Sequence, residues 1–179
     1  QLDAYGNSGN LALDNDFNAG NAGPGWSATP AATFTNPCGN GVNNSTYMWM
    51  GDATPQPRSL ETVAFDLSPG GQICFDMRFS VQADAAPCEG PDEPDEGVYL
   101  QYSTDGGNTW TTINYFDPLG GYDPALTTWN NYCFPIPAGA MGPNTTIRWF
   151  QDGTSGAEYD HWGIDNVQII LNDPNYYYI

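Results

Sequence analysis

The chain has 179 residues, 40% hydrophobic and 14% aromatic, and its 21 acidic residues face three arginines, one histidine and no lysine, a net charge of −18. That length bounds one domain with a developed core, and the apolar content excludes intrinsic disorder. The negative field excludes nucleic acid and anionic lipid surfaces as partners and attracts cations instead.

The N-terminal segment, residues 1–11, carries several Gly and Asn and is expected to be poorly ordered. The chain starts at Gln1 without a Met, as a processed or trimmed N-terminus does. Strands are predicted at 12–17 and 47–50, then at 59–67, where apolar and polar positions alternate. Residues 72–81 place Ile73, Phe75, Met77 and Phe79 on one face, the period-two pattern of a half-buried strand. Two more strands, 97–103 and 110–115, flank a turn whose Asp105-Gly106-Gly107 supplies the positive φ that tight hairpins need. Strands at 129–136, 145–151 and 162–171 complete the set, and the one stretch suited to a helical turn is 137–141. Residues 82–96 and 116–126 read as loops, the first with six acids. About nine strands without helical periodicity predict an all-β, two-sheet antiparallel sandwich of jelly-roll type, a single domain over residues 1–179. No 18-residue apolar run exists, so no membrane insertion is expected.

The four cysteines, Cys38, Cys74, Cys88 and Cys133, contain no C-x-x-C pair, and His161 is the lone imidazole. Zinc ligation is therefore excluded in favour of two disulfides made in an oxidising compartment. Four cysteines permit three connectivities. Ser103-x-Asp105-x-Gly107-x-x-Trp110 matches the Asp-box, a structural motif in which Asp accepts turn amides and Trp closes the hairpin against the sheet. No nucleophile elbow or activated base is signalled, so the chain is expected not to be an enzyme.

Several runs occur in order: Cys38-Gly39, Arg58 with Thr62 and Phe65-Asp66-Leu67, Cys74-Phe75, Cys88 in an acidic loop, and 96–103 running into the Asp-box. Residues 147–151 and 162–167 close the series. From Phe34 to Ile170 the chain resembles a reelin-type subrepeat and, more loosely, the MAM and carbohydrate-binding jelly rolls. It departs from the reelin arrangement in having one subrepeat and no EGF-like cysteine cluster, so reelin-type receptor binding is not carried over. The texture, rich in Asn, Gly and Thr and free of lysine, is that of a bacterial surface protein. The resemblance implies that the strands of Cys74 and Cys133 lie side by side, leaving Cys38 to pair with Cys88. It also implies a structural Ca2+ where an early strand meets the last, with Asp14, Asp16, Asp52 and Asp165 as ligands. Arg58 is expected to pair with Glu96 or Glu61.

The function expected is a non-catalytic extracellular adhesion or binding module at the cell surface, recognising a glycan or a protein. The alternative is a subunit that polymerises with copies of itself into a fibre or sheath through the aromatic tail, residues 172–179, with Tyr176, Tyr177 and Tyr178 docking on a neighbour. A third reading is an accessory domain of a secreted hydrolase.

Overall fold

The computed structural model describes residues 10–30, 32–37, 45–51, 57–81, 88–118 and 123–173. Eleven strands form two antiparallel sheets, with no α-helix among the described residues. In chain order they are β1 (Asn10–Asn15), β2 (Trp26–Ala28), β3 (Ala32–Thr35), β4 (Tyr47–Met50), β5 (Arg58–Thr62) and β6 (Gly71–Phe79). Then come β7 (Val98–Ser103), β8 (Thr111–Phe116), β9 (Asn130–Pro135), β10 (Thr146–Gln151) and β11 (Trp162–Leu171). A 3-10 turn at Ala138–Ala140 occupies the expected helical stretch.

One sheet runs β3-β4-β11-β6-β9 and the other β2-β5-β10-β7-β8. β6 pairs with β11 along almost its whole length, while the opposite edge of β11 is shared: Trp162–Ile164 pair with β4 and Val167–Leu171 with β1. A register shift between Asp165 and Gln168 separates the two halves, and Asn166 there has φ +49. This extra residue lets Ile164 and Val167 both face the core, as a bulge allows. Gly163 is required by its neighbour, because a Cβ there would meet the Trp49 ring at 2.8 Å.

Period-two alternation builds the core. Ile73, Phe75, Met77 and Phe79 all point inward from β6, as expected, and meet Leu60, Leu100, Ile147 and Trp149 from the facing sheet. Phe75 meets Trp149 edge-on at 5.1 Å, and Trp26 packs on the other side of Trp149 at 5.7 Å. Aromatic rings dominate because each buries a large apolar area with few rotors to immobilise.

Three expectations are corrected. Asn10 and Leu11, placed in the loose N-terminal segment, already belong to β1 and pair with Leu171 and Ile170. The strand predicted over 59–67 ends at Thr62, and Phe65 keeps only an isolated bridge to Thr145. The sandwich has two strands more than expected, β2 and β3, which are three and four residues long. The tail tyrosines Tyr176, Tyr177 and Tyr178 lie outside the described residues, as do Asp52 and Cys38.

Candidate functional site

The outward face of the five-stranded sheet carries two parallel rows of side chains across four strands. On β10 the inward residues are Ile147, Trp149 and Gln151, all buried, so Arg148 and Phe150 face out. Register then aligns Glu61, Arg148, Gln101 and Thr112 in one row, and Ser59, Phe150, Tyr99 and Tyr115 in the next. The first row is a polar chain. Ser59 Oγ donates to Glu61 Oε1 at 2.8 Å, Glu61 lies 3.9 Å from Arg148, and Arg148 Nε donates to Gln101 Oε1 at 2.8 Å. Gln101 Nε2 in turn donates to Thr112 Oγ1 at 3.1 Å. Apart from Ser59, the second row is aromatic, with Tyr99 and Tyr115 stacked at 4.2 Å. Arg148 binds the rows together, its guanidinium 3.9 Å from the Trp110 ring centre and 4.0 Å from that of Phe150.

Trp110 is placed there by the Asp-box turn. Asp105 Oδ1 accepts from Ser103 Oγ at 2.8 Å and from the Thr109 amide at 2.9 Å, while Oδ2 accepts the Thr109 hydroxyl. Thr109 and Ser103 together hold the Asp105 carboxyl down at about 2. Gly106 and Gly107 take the positive φ values that the sequence required of the turn. Trp110 Nε1 donates to Gly107 O at 3.1 Å, which fixes the ring relative to the sheet. At the other end of the aromatic row, Tyr115 Oη donates to Pro94 O at 2.5 Å and accepts from Gly97 N at 3.1 Å. Burial is the main cause that pushes the Tyr115 phenol up to about 12.

One end of the sandwich is closed by a buried polar network around Arg58, which is fully buried. Its Nη1 donates to Gln151 Oε1 at 3.0 Å and to Asp160 O at 2.7 Å, and its Nη2 to the carbonyls of Gly156 and Tyr159. Gln151 also receives Trp162 Nε1 at 2.9 Å. Arg58 thus engages main-chain carbonyls where a carboxylate was expected, and Glu61 pairs with Arg148 instead. His161 is fully buried against Trp49, with ring centres 5.9 Å apart, so its environment is a packed interior.

Of the expected calcium ligands, Asp165 is buried on the outer face of the six-stranded sheet. Burial is the main cause that raises it to about 6, and the charges of Asp76 and Asp16 add to this. Its Oδ2 accepts from Ser45 Oγ and its Oδ1 from the Asn166 amide. Asp16 sits at an Asx turn on Asn18, beside Phe17 at φ +51. Asp14 turns instead to Gln168, whose Nε2 donates to it at 3.0 Å.

Cys74 and Cys133 are directly opposed in register on β6 and β9 and form a disulfide, the pairing expected. Cys88 is also disulfide-bonded, and its expected partner Cys38 lies outside the described residues. The sequence reading missed Arg148, Phe150, Tyr99 and Tyr115 as one surface. The available signal was the alternation in 97–103 and 145–151, whose polar-or-aromatic positions fall on the solvent side.

Solved structures share this architecture. A xylan-binding domain from CBM 22 superposes with a TM-score of 0.57 at 11% identity, covering 92% of this chain and 96% of that one. A CBM28 module specific for non-crystalline cellulose gives 0.53 at 13% identity, covering 92% and 96%. The K3 cleaved adhesin domain of Lys-gingipain from Porphyromonas gingivalis w83 gives 0.53 at 16%, covering 89% and 98%. These likenesses establish the jelly-roll fold. The family model for reelin subrepeat B matches residues 31–170, a span that runs from β3 to within one residue of the end of β11, takes in both disulfide-bonded strands and the Asp-box hairpin, and places the chain in the reelin subrepeat B family.

Proposed function

We propose that this domain is an extracellular, non-catalytic module that binds neutral glycan on the outward face of its five-stranded sheet. The observation that carries the reading is the pair of adjoining rows, one aromatic and one hydrogen-bonding, tied together by Arg148. A pyranose ring presents an apolar C–H face and a rim of hydroxyls. Half-buried rings beside fixed Glu61, Gln101 and Thr112 complement both, the usual division between an apolar contact and a few placed polar groups. The net charge of −18 disfavours uronate and sulfated chains, so neutral polysaccharides are the substrate class. The disulfide between Cys74 and Cys133 supports an oxidising, extracellular location.

The proposal includes a structural calcium at Asp16 and Asp165. The charges of Asp76 and Asp16 act on the buried Asp165 carboxyl, and a hard cation held by oxygen ligands would relieve that repulsion. Asp14, whose Oδ1 accepts from Gln168 Nε2, belongs to the same proposal.

Affinity electrophoresis and calorimetry against xylan, glucan and mannan, with polygalacturonate as the charged control, test the glycan reading. Binding to a neutral chain that W110A and F150A abolish supports it. No binding to any neutral polysaccharide, or binding indifferent to both substitutions, overturns it.

A further inference from the structure

Away from the sheet face, the acidic loop meets the segment that leads into β11. Glu89, Asp92 and Asp160 each place a carboxylate oxygen within 4.8 Å of the other two. Oxygens bound to one calcium ion at about 2.3–2.6 Å lie no more than roughly 5 Å apart, so the three reach a common ion. Asp160 has no exposed surface and stands at φ +61, an unfavourable conformation for a non-glycine residue. Its Oδ2 accepts the Ser155 amide, while its Oδ1 is buried and accepts from no N–H or hydroxyl, the Glu96 carboxyl lying against the Asp160 side chain. A buried carboxylate oxygen without a partner is costly, and almost all such atoms in folded proteins are satisfied.

The surroundings hold the three in place. Glu96 positions the loop: its Oε2 accepts the amides of Asp92 and Glu93 at 2.9 and 2.8 Å, and its Oε1 accepts Ser155 Oγ at 2.8 Å. The Asp160 amide donates to Glu89 Oε2 at 2.9 Å, and the His161 amide to Glu89 O at 3.0 Å. The disulfide at Cys88 anchors the residue next to Glu89. The facing charges are Glu96 and Glu93 on the loop and Arg58 on β5. Arg58 places Nη1 and Nη2 on Gln151 and three main-chain carbonyls, and its charge acts on Glu89. Among the described residues, four carboxylates, those of Glu89, Asp92, Glu96 and Asp160, thus gather near one guanidinium, an excess of negative charge that a cation offsets.

We propose that Glu89, Asp92 and Asp160 form a calcium-binding site at the loop pole of the sandwich. It is distinct from the position of Asp165, which lies three residues into β11 and on the outer face of its sheet, roughly 10 Å along the strand. Asp160 supplies the buried ligand, Glu89 and Asp92 close the charge, and carbonyls of the loop or water complete the shell, as a flexible oxygen site permits. The inference does not depend on glycan binding.

The test is calcium calorimetry on protein stripped by chelator, with D160N, the paired E89Q/D92N variant, and D165N. D160N keeps the size of the side chain, and D92N lies on the rim of the loop, so at least one variant retains the fold, checked by its melting transition. The expected result is a site in the wild type that D165N keeps and that both D160N and E89Q/D92N weaken at least tenfold. Unchanged affinity and stoichiometry in both loop variants overturns the proposal. So does a wild type that takes up no calcium at about 10 mM, well above the weakest extracellular modules.

Discussion

Trp110 and Arg148 are in face-to-face contact, the guanidinium 3.9 Å from the ring centre, and this contact joins the Asp-box hairpin to the middle of the sheet. Because Trp110 is already held by Gly107 O, the ring needs no further ordering when a ligand arrives. Replacing Trp110 with Ala is expected to weaken glycan binding at least tenfold, about 1.4 kcal/mol, while costing only about 1 kcal/mol of stability for the lost cation–π contact. Calorimetry with polysaccharide and a urea titration of the same preparation separate the two effects. A variant that binds as the wild type does removes the sheet face from consideration.

Arg58 is the opposite case, a cation whose work is internal. Its removal leaves the Tyr159 carbonyl without its side-chain donor and takes one donor each from Gly156 O, Asp160 O and Gln151 Oε1. Arg58→Met is expected to lower the unfolding free energy by roughly 3–5 kcal/mol, the usual loss when one partner of a buried charged network is deleted. Urea denaturation monitored by tryptophan fluorescence measures it, and a loss under about 1 kcal/mol contradicts the role assigned to the network.

The Cys74–Cys133 bridge spans 59 residues and constrains the unfolded chain. Substituting both with Ala is expected to cost roughly 4 kcal/mol in the chain-entropy account. The two strands remain hydrogen-bonded neighbours without it, so the fold survives. Denaturation of the C74A/C133A variant beside the wild type, without reductant so that the bridge at Cys88 stays closed, checks the figure.

Stability in calcium-free buffer is expected to fall as pH rises. Asp160 and Asp165 have an ordinary value of 3.8 and sit at about 7 and about 6 in the fold, both mainly through burial. The native state therefore holds more protons than the unfolded chain between about pH 4 and 7, and the slope of stability with pH is negative there. Saturating calcium needs these carboxylates ionised, so it should stabilise most at high pH and reverse the slope. Melting temperatures at about pH 5, 6, 7 and 8, with chelator and with calcium, test this. A rising trend without calcium would mean that the buried carboxyls are not held protonated.

What was legible in the sequence was whatever is local. Residues 72–81 announce their inward face by strict alternation, and the Asp-box can be read because every hydrogen bond of Asp105 lies within a few residues of it. β2 and β3 escaped because three or four residues cannot display a period, and each stands at a sheet edge where pairing with β5 or β4 defines it. The acidic site was illegible for a related reason. Glu89 and Asp160 are 71 residues apart, and their meeting depends on the loop anchor at Cys88 and on the left-handed turn before β11. An acidic run alone gives no hint of which carboxylate will be buried, and Asp160 is not in the run at all.

The placement of the three arginines decides how a protease meets this molecule. Trypsin cleaves after Arg or Lys in segments that can be drawn out of the fold, and here the sequence offers it only Arg58, Arg78 and Arg148. All three lie within paired strands, β5, β6 and β10, and the side chains of the first two are buried. Each peptide bond is thus reachable only after a strand leaves its sheet, so digestion rate follows the population of the opened molecule. A trypsin time course becomes a gauge of global stability that needs no denaturant, and the same arrangement leaves the folded domain durable in surroundings rich in trypsin-like enzymes.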